Sequence, residues 1–439
     1  MSVTTDRKLA LAAFGAWLVS AGLSLATKPA LLHDESQYAL AARGDASWTY
    51  LSPGAVAIAR AGVWLGGAPW QLRLVPLVFV AGLLVATWWL ARSLYGERVG
   101  AWAVAIVAGA HPLVLRGVEM MSDAPSAACL VAGIAILAIE LDRADGPRWR
   151  LVAAAPAFAA AFYIRQGHVP VIAITGVTAA ILWWRRLAMR PARTIAAVAV
   201  LAALLAPHFI ASVQATGSML GSLESAAGVP YRSYVGEGLV QYLTSNPFLF
   251  YGALAAPAMV LGIAHLAWPR PPQRATIFLA TIAVGQIVTL GLETRAQPRY
   301  VFVAIVLLIV VGADLVVTAG WARRWVLALV VAGWIGAIAA VVPFDRFLAR
   351  AQRPLDAAAA TIASDAGGRS CVVAGRQLPN LMWATRCQGT IAVANMAWPP
   401  GERHYFVSVP SGRIDITTIA PDAVELSTGN ADARVWRER

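Results

Sequence analysis

The sequence predicts an all-α polytopic membrane domain of about eleven transmembrane helices, followed by a small C-terminal extracytoplasmic α/β domain. Three observations carry that fold class. Hydrophobic residues make up 59% of the chain and charged residues only 13%, where ordinary soluble domains are about a quarter charged. Apolar stretches follow one another through the first 343 positions, and roughly 20 such residues in a helix cross a hydrocarbon core of ~30 Å. Basic residues cluster in alternate short loops between these stretches, the pattern that orients helices in a membrane.

Taken in order, the spans are expected near 9–27, 71–91, 99–115, 124–141, 151–164, 168–184, 194–213, 247–268, 275–292, 300–320 and 325–343. The first follows Arg7 and Lys8 and is long, with no small-residue cleavage site before the acidic loop beyond it, so it reads as a retained span rather than a signal peptide. With the N-terminus inside, the cytoplasmic loops hold Arg92, Arg98, Arg143, Arg148, Arg150, Arg185, Arg186, Arg190, Arg193, Arg270, Arg274, Arg323 and Arg324. The short outer loops hold only Arg116, Arg165, Arg295 and Arg299. This asymmetry, and an odd number of spans, put the C-terminal segment outside a bacterial inner membrane. The net charge of +12 is nearly all arginine and reads as topology first, with anionic lipid or phosphate as a secondary partner and no nucleic acid.

Three outer segments exceed simple turns: 28–70, 214–246 and 344–439. Amphipathic stretches near 35–43 and 54–65 are expected to form short helices in the interface plane. From Phe344 the apolar windows shorten and turn residues return, so the transmembrane domain is expected to cover 1–343 and the soluble domain 344–439. Within the latter, SCVVAGRQLPNLMWATRCQGTIAVAN reads strand, helix, strand. Cys129 falls inside a span and reads as an inert core residue, while an oxidising compartment permits but does not dictate a bond between Cys371 and Cys387. Matching broken spans in two halves, the mark of many secondary transporters, are absent from the sequence.

The ionisable residues expected at the outer face come from four separate loops: His33, Asp34 and Glu35; Arg116, Glu119 and Asp123; Arg165 and His168; Glu293, Arg295, Arg299 and Tyr300. Taken singly, each has a plain reading. Asp34 suits a helix N-cap, Ser122 or Asp123 suits the cap of a helix with Pro125 in its first turn, and Arg299 with Tyr300 suits an interfacial anchor. Taken together they suit chemistry. A carboxylate near the membrane surface can take a proton from a hydroxyl or amine nucleophile, a second can orient it, and a guanidinium fork fits a phosphate. A divalent cation, magnesium or manganese, shared between the acidic loops stays open, and no metal ligand set is assigned.

These motifs resemble a known family. An HDE triplet with Tyr38 following, MSDAP opening a later span and RY before a late span, in that order and on one membrane side, are similar to the GT-C superfamily of membrane glycosyltransferases. The branch that looks nearest holds protein O-mannosyltransferases, aminoarabinose transferases and lipopolysaccharide galacturonosyltransferases. The resemblance implies inverting transfer of a sugar from a polyprenyl-phosphate donor to a lipid, glycan or protein acceptor at the outer face, with no nucleotide needed there. It implies that Asp34 is the catalytic base, supported by Glu35 and Asp123. Arg165, Arg295, Arg299 and Tyr300 would hold the donor phosphate, with His33, Tyr38, Glu119 and His168 as acceptor or sugar contacts. One departure is the stretch WTYLSPGAVAIA, which carries only Pro53 where many members have a basic residue and paired prolines. Two other classes stand beside this one. A flippase or transporter would need charges near mid-membrane along a path, where the sequence offers only Gln286 and His208. A scaffold would leave the acidic loops unexplained.

Overall fold

A computed structural model describes residues 3–438 apart from 47, 49, 228–231, 268–272, 321–322, 376, 391–401 and 411–415. Arg270 and the end of the expected strand–helix–strand segment lie outside the described residues. The chain divides into two compact units. The first comprises Met1–Leu25, Thr49–Ile58 and Arg73–Val341, and the second Ala26–Trp48, Ala59–Leu72 and Val342–Arg439. The second unit therefore takes in most of the first outer loop as well as the C-terminal segment.

The helices are α1 (Val3–Thr27), α2 (His33–Arg43), α3 (Pro53–Trp64), α4 (Pro69–Tyr95), α5 (Glu97–Val107), α6 (His111–Arg116), α7 (Asp123–Asp142), α8 (Ala154–Ile164), α9 (Val169–Met189) and α10 (Pro191–Thr216). They continue as α11 (Gly221–Ala227), α12 (Glu237–Thr244), α13 (Pro247–Phe250), α14 (Ala255–Ala264), α15 (Arg274–Glu293), α16 (Phe302–Thr318) and α17 (Arg323–Ala366). Among the described residues eight helices are long and apolar enough to cross a membrane, and Trp149–Ile164 and Ala255–Ala267 are shorter apolar helices. An all-helical membrane domain is thus observed.

Burial separates the inner helices from the outer. The most apolar window of the helix ending at Thr318 is 78% buried, whereas that of Pro191–Thr216 is 0% buried. A helix apolar all round belongs in a bundle interior or against lipid, and α16 and α10 take these two places. Close approach of α14 to α16 depends on small residues. A Cβ on Gly312 would lie 2.0 Å from the Ala258 carbonyl oxygen, and one on Gly262 would lie 2.3 Å from that of Leu308. Small residues let membrane helices pack backbone to backbone.

Two expectations need correction. The stretch 99–115 is not one span: α5 stops at Val107 and α6 restarts at His111 with Pro112 in its first turn. Proline suits a helix start because it has no N–H to satisfy there. The ends released by the break find partners, the Ala105 carbonyl accepting from Trp334 Nε1 at 2.7 Å and His111 N donating to the Tyr251 carbonyl at 3.0 Å. Nor does the last long helix end where the expected span 325–343 does. Helix α17 continues through Pro343 and Pro354 to Ala366, since a proline removes one backbone bond but need not end a helix held by packing. The signal for the extension is Leu355, Ala358, Ala359, Ile362 and Ala366, which recur at helical spacing and are buried in the second unit's core with Leu40 of α2.

The second unit also contains β1 (Cys371–Gly375), α18 (Leu378–Thr385), β2 (Gln388–Thr390), β3 (Arg403–Ser408), α19 (Ile416–Ile419), β4 (Val424–Leu426) and β5 (Arg434–Arg437). The strands form one sheet in the order β2-β1-β3-β5-β4. Strand β1 runs parallel to β2 and β3, while β5 is antiparallel to β3 and β4. Asp365 ties helix to sheet, accepting from Arg437 Nη1 at 2.7 Å, Arg403 Nη1 at 2.8 Å and Tyr405 Oη at 2.7 Å. Cys371 and Cys387 are disulfide-bonded across a Cα separation of 4.7 Å.

Candidate active site

In the first unit the chemistry gathers on Asp123. Helix α7 begins at this residue, and its carboxylate is almost fully buried. Arg165 Nη1 donates to Asp123 Oδ1 at 2.5 Å, and Arg299 Nε lies 4.0 Å from Oδ2. The preceding Ser122 makes no capping bond but accepts from Arg165 Nη1 at 3.4 Å. Helix-cap readings of Ser122 and Asp123 therefore give way to ion pairing.

Local structure presents each partner. Helix α8 ends at Ile164, Arg165 takes an extended conformation, and a 3₁₀ turn over Gln166–His168 leads into α9 with Pro170 in its first turn. The Ser52–Pro53–Gly54 turn lies directly on this corner: Gln166 N donates to Ser52 Oγ at 3.4 Å, and a Cβ on Gly54 would sit 2.7 Å from the Tyr163 carbonyl. Only glycine fits there. Arg299 and Tyr300 lie on a second 3₁₀ turn, Pro298–Val301, that opens α16. Arg299 Nε donates to Gln297 Oε1 at 2.7 Å, and its Nη1 approaches Met121 Sδ at 3.6 Å. The Tyr300 ring is near both cations, its centroid 4.6 Å from Arg165 Cζ and 5.4 Å from Arg299 Cζ, within cation–π range.

Beneath Asp123, the fully buried His168 has Nε2 2.9 Å from Ser126 Oγ, and Ser126 Oγ donates to the Asp123 carbonyl at 2.9 Å. His168 is thus a support inside the bundle. Glu119 is buried and accepts from Arg116 Nη1 at 2.8 Å. Arg295 goes elsewhere, its Nε donating to Glu237 Oε1 at 2.9 Å. Glu237 also accepts from Ser233 N at 2.5 Å and Gln241 Nε2 at 2.9 Å. Hydrogen bonding by the Ser233 backbone, then by Arg295, holds the Glu237 carboxyl below its ordinary range. Glu293 is exposed.

Sequence reading passed over Gln286 as a polar interruption in a span. Its side chain is fully buried, donating through Nε2 to the Tyr300 carbonyl at 3.2 Å and accepting from Ala304 N at 2.7 Å. It therefore satisfies a free N–H at the start of α16 and fixes the turn that carries Arg299. Arg73, buried in the first turns of α4, was also missed. A buried arginine within an apolar stretch is the signal that finds it.

In the second unit the first-loop residues lie on α2. Asp34 is half-buried in its first turn, Tyr38 is half-buried one turn on, and Glu35 is fully buried. Glu35 Oε2 accepts from the Leu32 backbone N–H at 2.9 Å, the return half of a capping box. Capping thus falls to Glu35 rather than Asp34. His33 Nε2 lies 3.3 Å from Gln37 Nε2. Just ahead, the Leu31 carbonyl accepts from Asn380 Nδ2 at 2.8 Å and Gln352 Nε2 at 3.4 Å. Lys28 Nζ lies 3.1 Å from Asp345 Oδ1 with both side chains fully buried, and Thr27 Oγ1 donates to Oδ2 at 2.8 Å. Lys28, Asp345 and Asn380 pin the loop that carries Asp34, a role that sequence alone did not reveal. Among the described residues no group of three or more His, Cys, Asp or Glu side chains is placed to hold a metal ion.

The chain has the fold of solved membrane glycosyltransferases, and one segment of it matches a family model. Residues 51–210 match the family described as dolichyl-phosphate-mannose-protein mannosyltransferase. Among solved structures, ArnT from Cupriavidus metallidurans bound to undecaprenyl phosphate is 16% identical, with 100% of this chain and 98% of that chain covered at a TM-score of 0.70. The same protein in its apo state is 14% identical over 99% and 98%, also at 0.70. The Archaeoglobus fulgidus oligosaccharyltransferase tethered with an acceptor peptide is 11% identical over 90% of this chain and 69% of that one, at 0.52. No curated protein sequence matches the chain.

Proposed function

We propose that the chain transfers a sugar, with inversion, from a polyprenyl-phosphate donor to an acceptor at the extracytoplasmic face of a bacterial inner membrane. Residues 1–343 carry the transfer chemistry and 344–439 form the outer domain. The observation that carries the reading is the pairing of one buried carboxylate, Asp123, with two guanidiniums, Arg165 and Arg299. Two guanidiniums, both mostly shielded from water, converge on this one carboxylate. A pair of guanidinium forks is suited to a donor phosphodiester.

In the proposed reaction the acceptor O–H or N–H attacks the anomeric carbon while the bond from that carbon to the phosphate oxygen breaks. The electron pair leaves on the polyprenyl phosphate, and the acceptor proton passes to Asp34. Negative charge grows on the departing phosphate, so Arg165 and Arg299 favour the transition state over the ground state. Asp123 holds the guanidiniums in place, Tyr300 stacks on them, and Gln286 fixes their turn. Glu35 orders the helix that bears Asp34. His33, Tyr38, Glu119 and His168 are assigned to sugar or acceptor contacts or to their support, and Arg295 to the Glu237 clasp.

Support for the lipid-linked donor comes from the ArnT structure, whose bound molecule is undecaprenyl phosphate. Support for an outer C-terminal domain comes from the Cys371–Cys387 bond, which persists in oxidising compartments. Glycan product measured in membranes, with protein abundance alongside, tests the reading. Asp34→Asn and Arg299→Ala are each expected to cut product by about a hundredfold or more at unchanged abundance, and full product from either variant would overturn its assigned role.

A further inference from the structure

A second feature of the first unit has no part in this chemistry. Helices α1 and α4 enclose a groove of about 360 Å³ lined by Ala10, Leu11, Phe14, Leu84, Val85 and Trp88. Its walls are nearly all apolar and open sideways: Leu11 is 73% exposed and Val85 58%. At one end stand two arginines, Arg7 and Arg92. They share one carboxylate, with Arg7 Nε 3.7 Å from Glu97 Oε1 and Arg92 Nε 2.5 Å from Oε2. Arg92 also lies over the Trp88 ring, its Cζ 4.7 Å from the centroid. Arg98 and Asp6 form a further pair at 3.7 Å. Counting Asp6, Arg7, Lys8, Arg92, Glu97 and Arg98, four cations face two anions and two positive charges remain.

We propose that this groove binds an anionic phospholipid of the leaflet on the N-terminal side, one acyl chain between α1 and α4 and the headgroup phosphate against Arg7 and Arg92. A membrane lipid alone joins a hydrocarbon tail to a phosphate at the depth where an apolar groove meets guanidiniums. The charge excess selects lipids with net negative charge, because a choline or ethanolamine group would cancel the phosphate and face cations of its own sign. A groove of this volume falls within the range of small-ligand sites. None of the residues lining it is assigned to the transfer reaction, so the inference stands independently of that reaction.

The test is native mass spectrometry of the full chain, titrated with phosphatidylglycerol or phosphatidylcholine of identical acyl chains. The wild-type chain is expected to retain phosphatidylglycerol at least about tenfold more tightly, and Arg7→Gln alone to weaken it roughly fivefold. Arg7→Ala with Arg92→Ala should erase the preference while transfer activity and melting temperature stay unchanged. Leu11→Trp, which fills the groove, should weaken both lipids. Equal affinity of the wild-type chain for the two lipids would overturn the proposal, as would unaltered phosphatidylglycerol affinity in both arginine variants. Cross-linking of two copies through Leu11→Cys in a native membrane would assign the face to self-association instead.

Discussion

Two charged clusters in this protein differ in their balance. In the second unit Lys28 meets Asp345, both fully buried, and Thr27 donates to the other carboxylate oxygen. In the first unit Asp123 faces two guanidiniums, both retaining some exposure. Burial away from water makes the Lys28–Asp345 pair a fastener. The trio sets two guanidinium forks beside one carboxylate, an arrangement suited to an anionic ligand. Burial alone would not have told a fastener from a site.

Several outcomes would break or sharpen that contrast. The largest concerns Asp34, where Asp34→Asn should lower transfer by about 10²–10⁴-fold with abundance unchanged, the range for a lost general base. Arg165→Ala and Arg299→Ala should each lower kcat/KM by about 10²–10³-fold. Combined in a cycle, they should be strongly non-additive, since both act on one phosphate. On the other side of the comparison, Lys28→Met should destabilise by about 3–5 kcal/mol, because it removes the cation from a buried carboxylate. Pairing it with Asp345→Leu should restore much of the abundance, which a substrate-binding pair would not allow. Removing the disulfide with Cys371→Ser and Cys387→Ser closes a smaller account: a sequence separation of 16 residues corresponds to about 3 kcal/mol, read as earlier thermal unfolding under oxidising conditions.

The smallest effect is a pH dependence. Hydrogen bonds from the Ser233 backbone and Arg295 depress the folded-state pKa of Glu237. Its contribution is therefore present above the ordinary glutamate value of ~4.3 and is lost as pH falls through the lower folded value. Hydrogen exchange in α12 should quicken below about pH 4, and Glu237→Gln should remove that dependence without moving the neutral-pH activity by more than a few fold.

Much of the membrane domain was legible because lipid enforces long apolar runs, and no local detail competes with that signal. Breaks were harder. The stretch 99–115 reads as one span because Gly109 and Pro112 are tolerated in membrane helices, and only the partners of Ala105 and His111 reveal that the helix stops. The extension of α17 was hidden by Pro343, although Leu355, Ala358 and Ile362 carried the helical period. In the site, the motifs pointed to Asp123, Arg165 and Arg299 one loop at a time, and the fold brings these three together. Arg295 shares their sequence signature but belongs to Glu237, a pairing across 58 positions that no local pattern announces. Gln286 was invisible for the opposite reason: a lone amide in a span looks incidental until both its hydrogen bonds are seen.

The central claim is that Arg165 and Arg299 together receive the lipid phosphate. Binding of undecaprenyl phosphate to the purified chain, measured calorimetrically in detergent, tests it most directly. The double variant Arg165→Ala, Arg299→Ala is expected to lose binding at least a hundredfold while Asp34→Asn binds as the wild-type chain does. Wild-type affinity in the double variant would contradict the account.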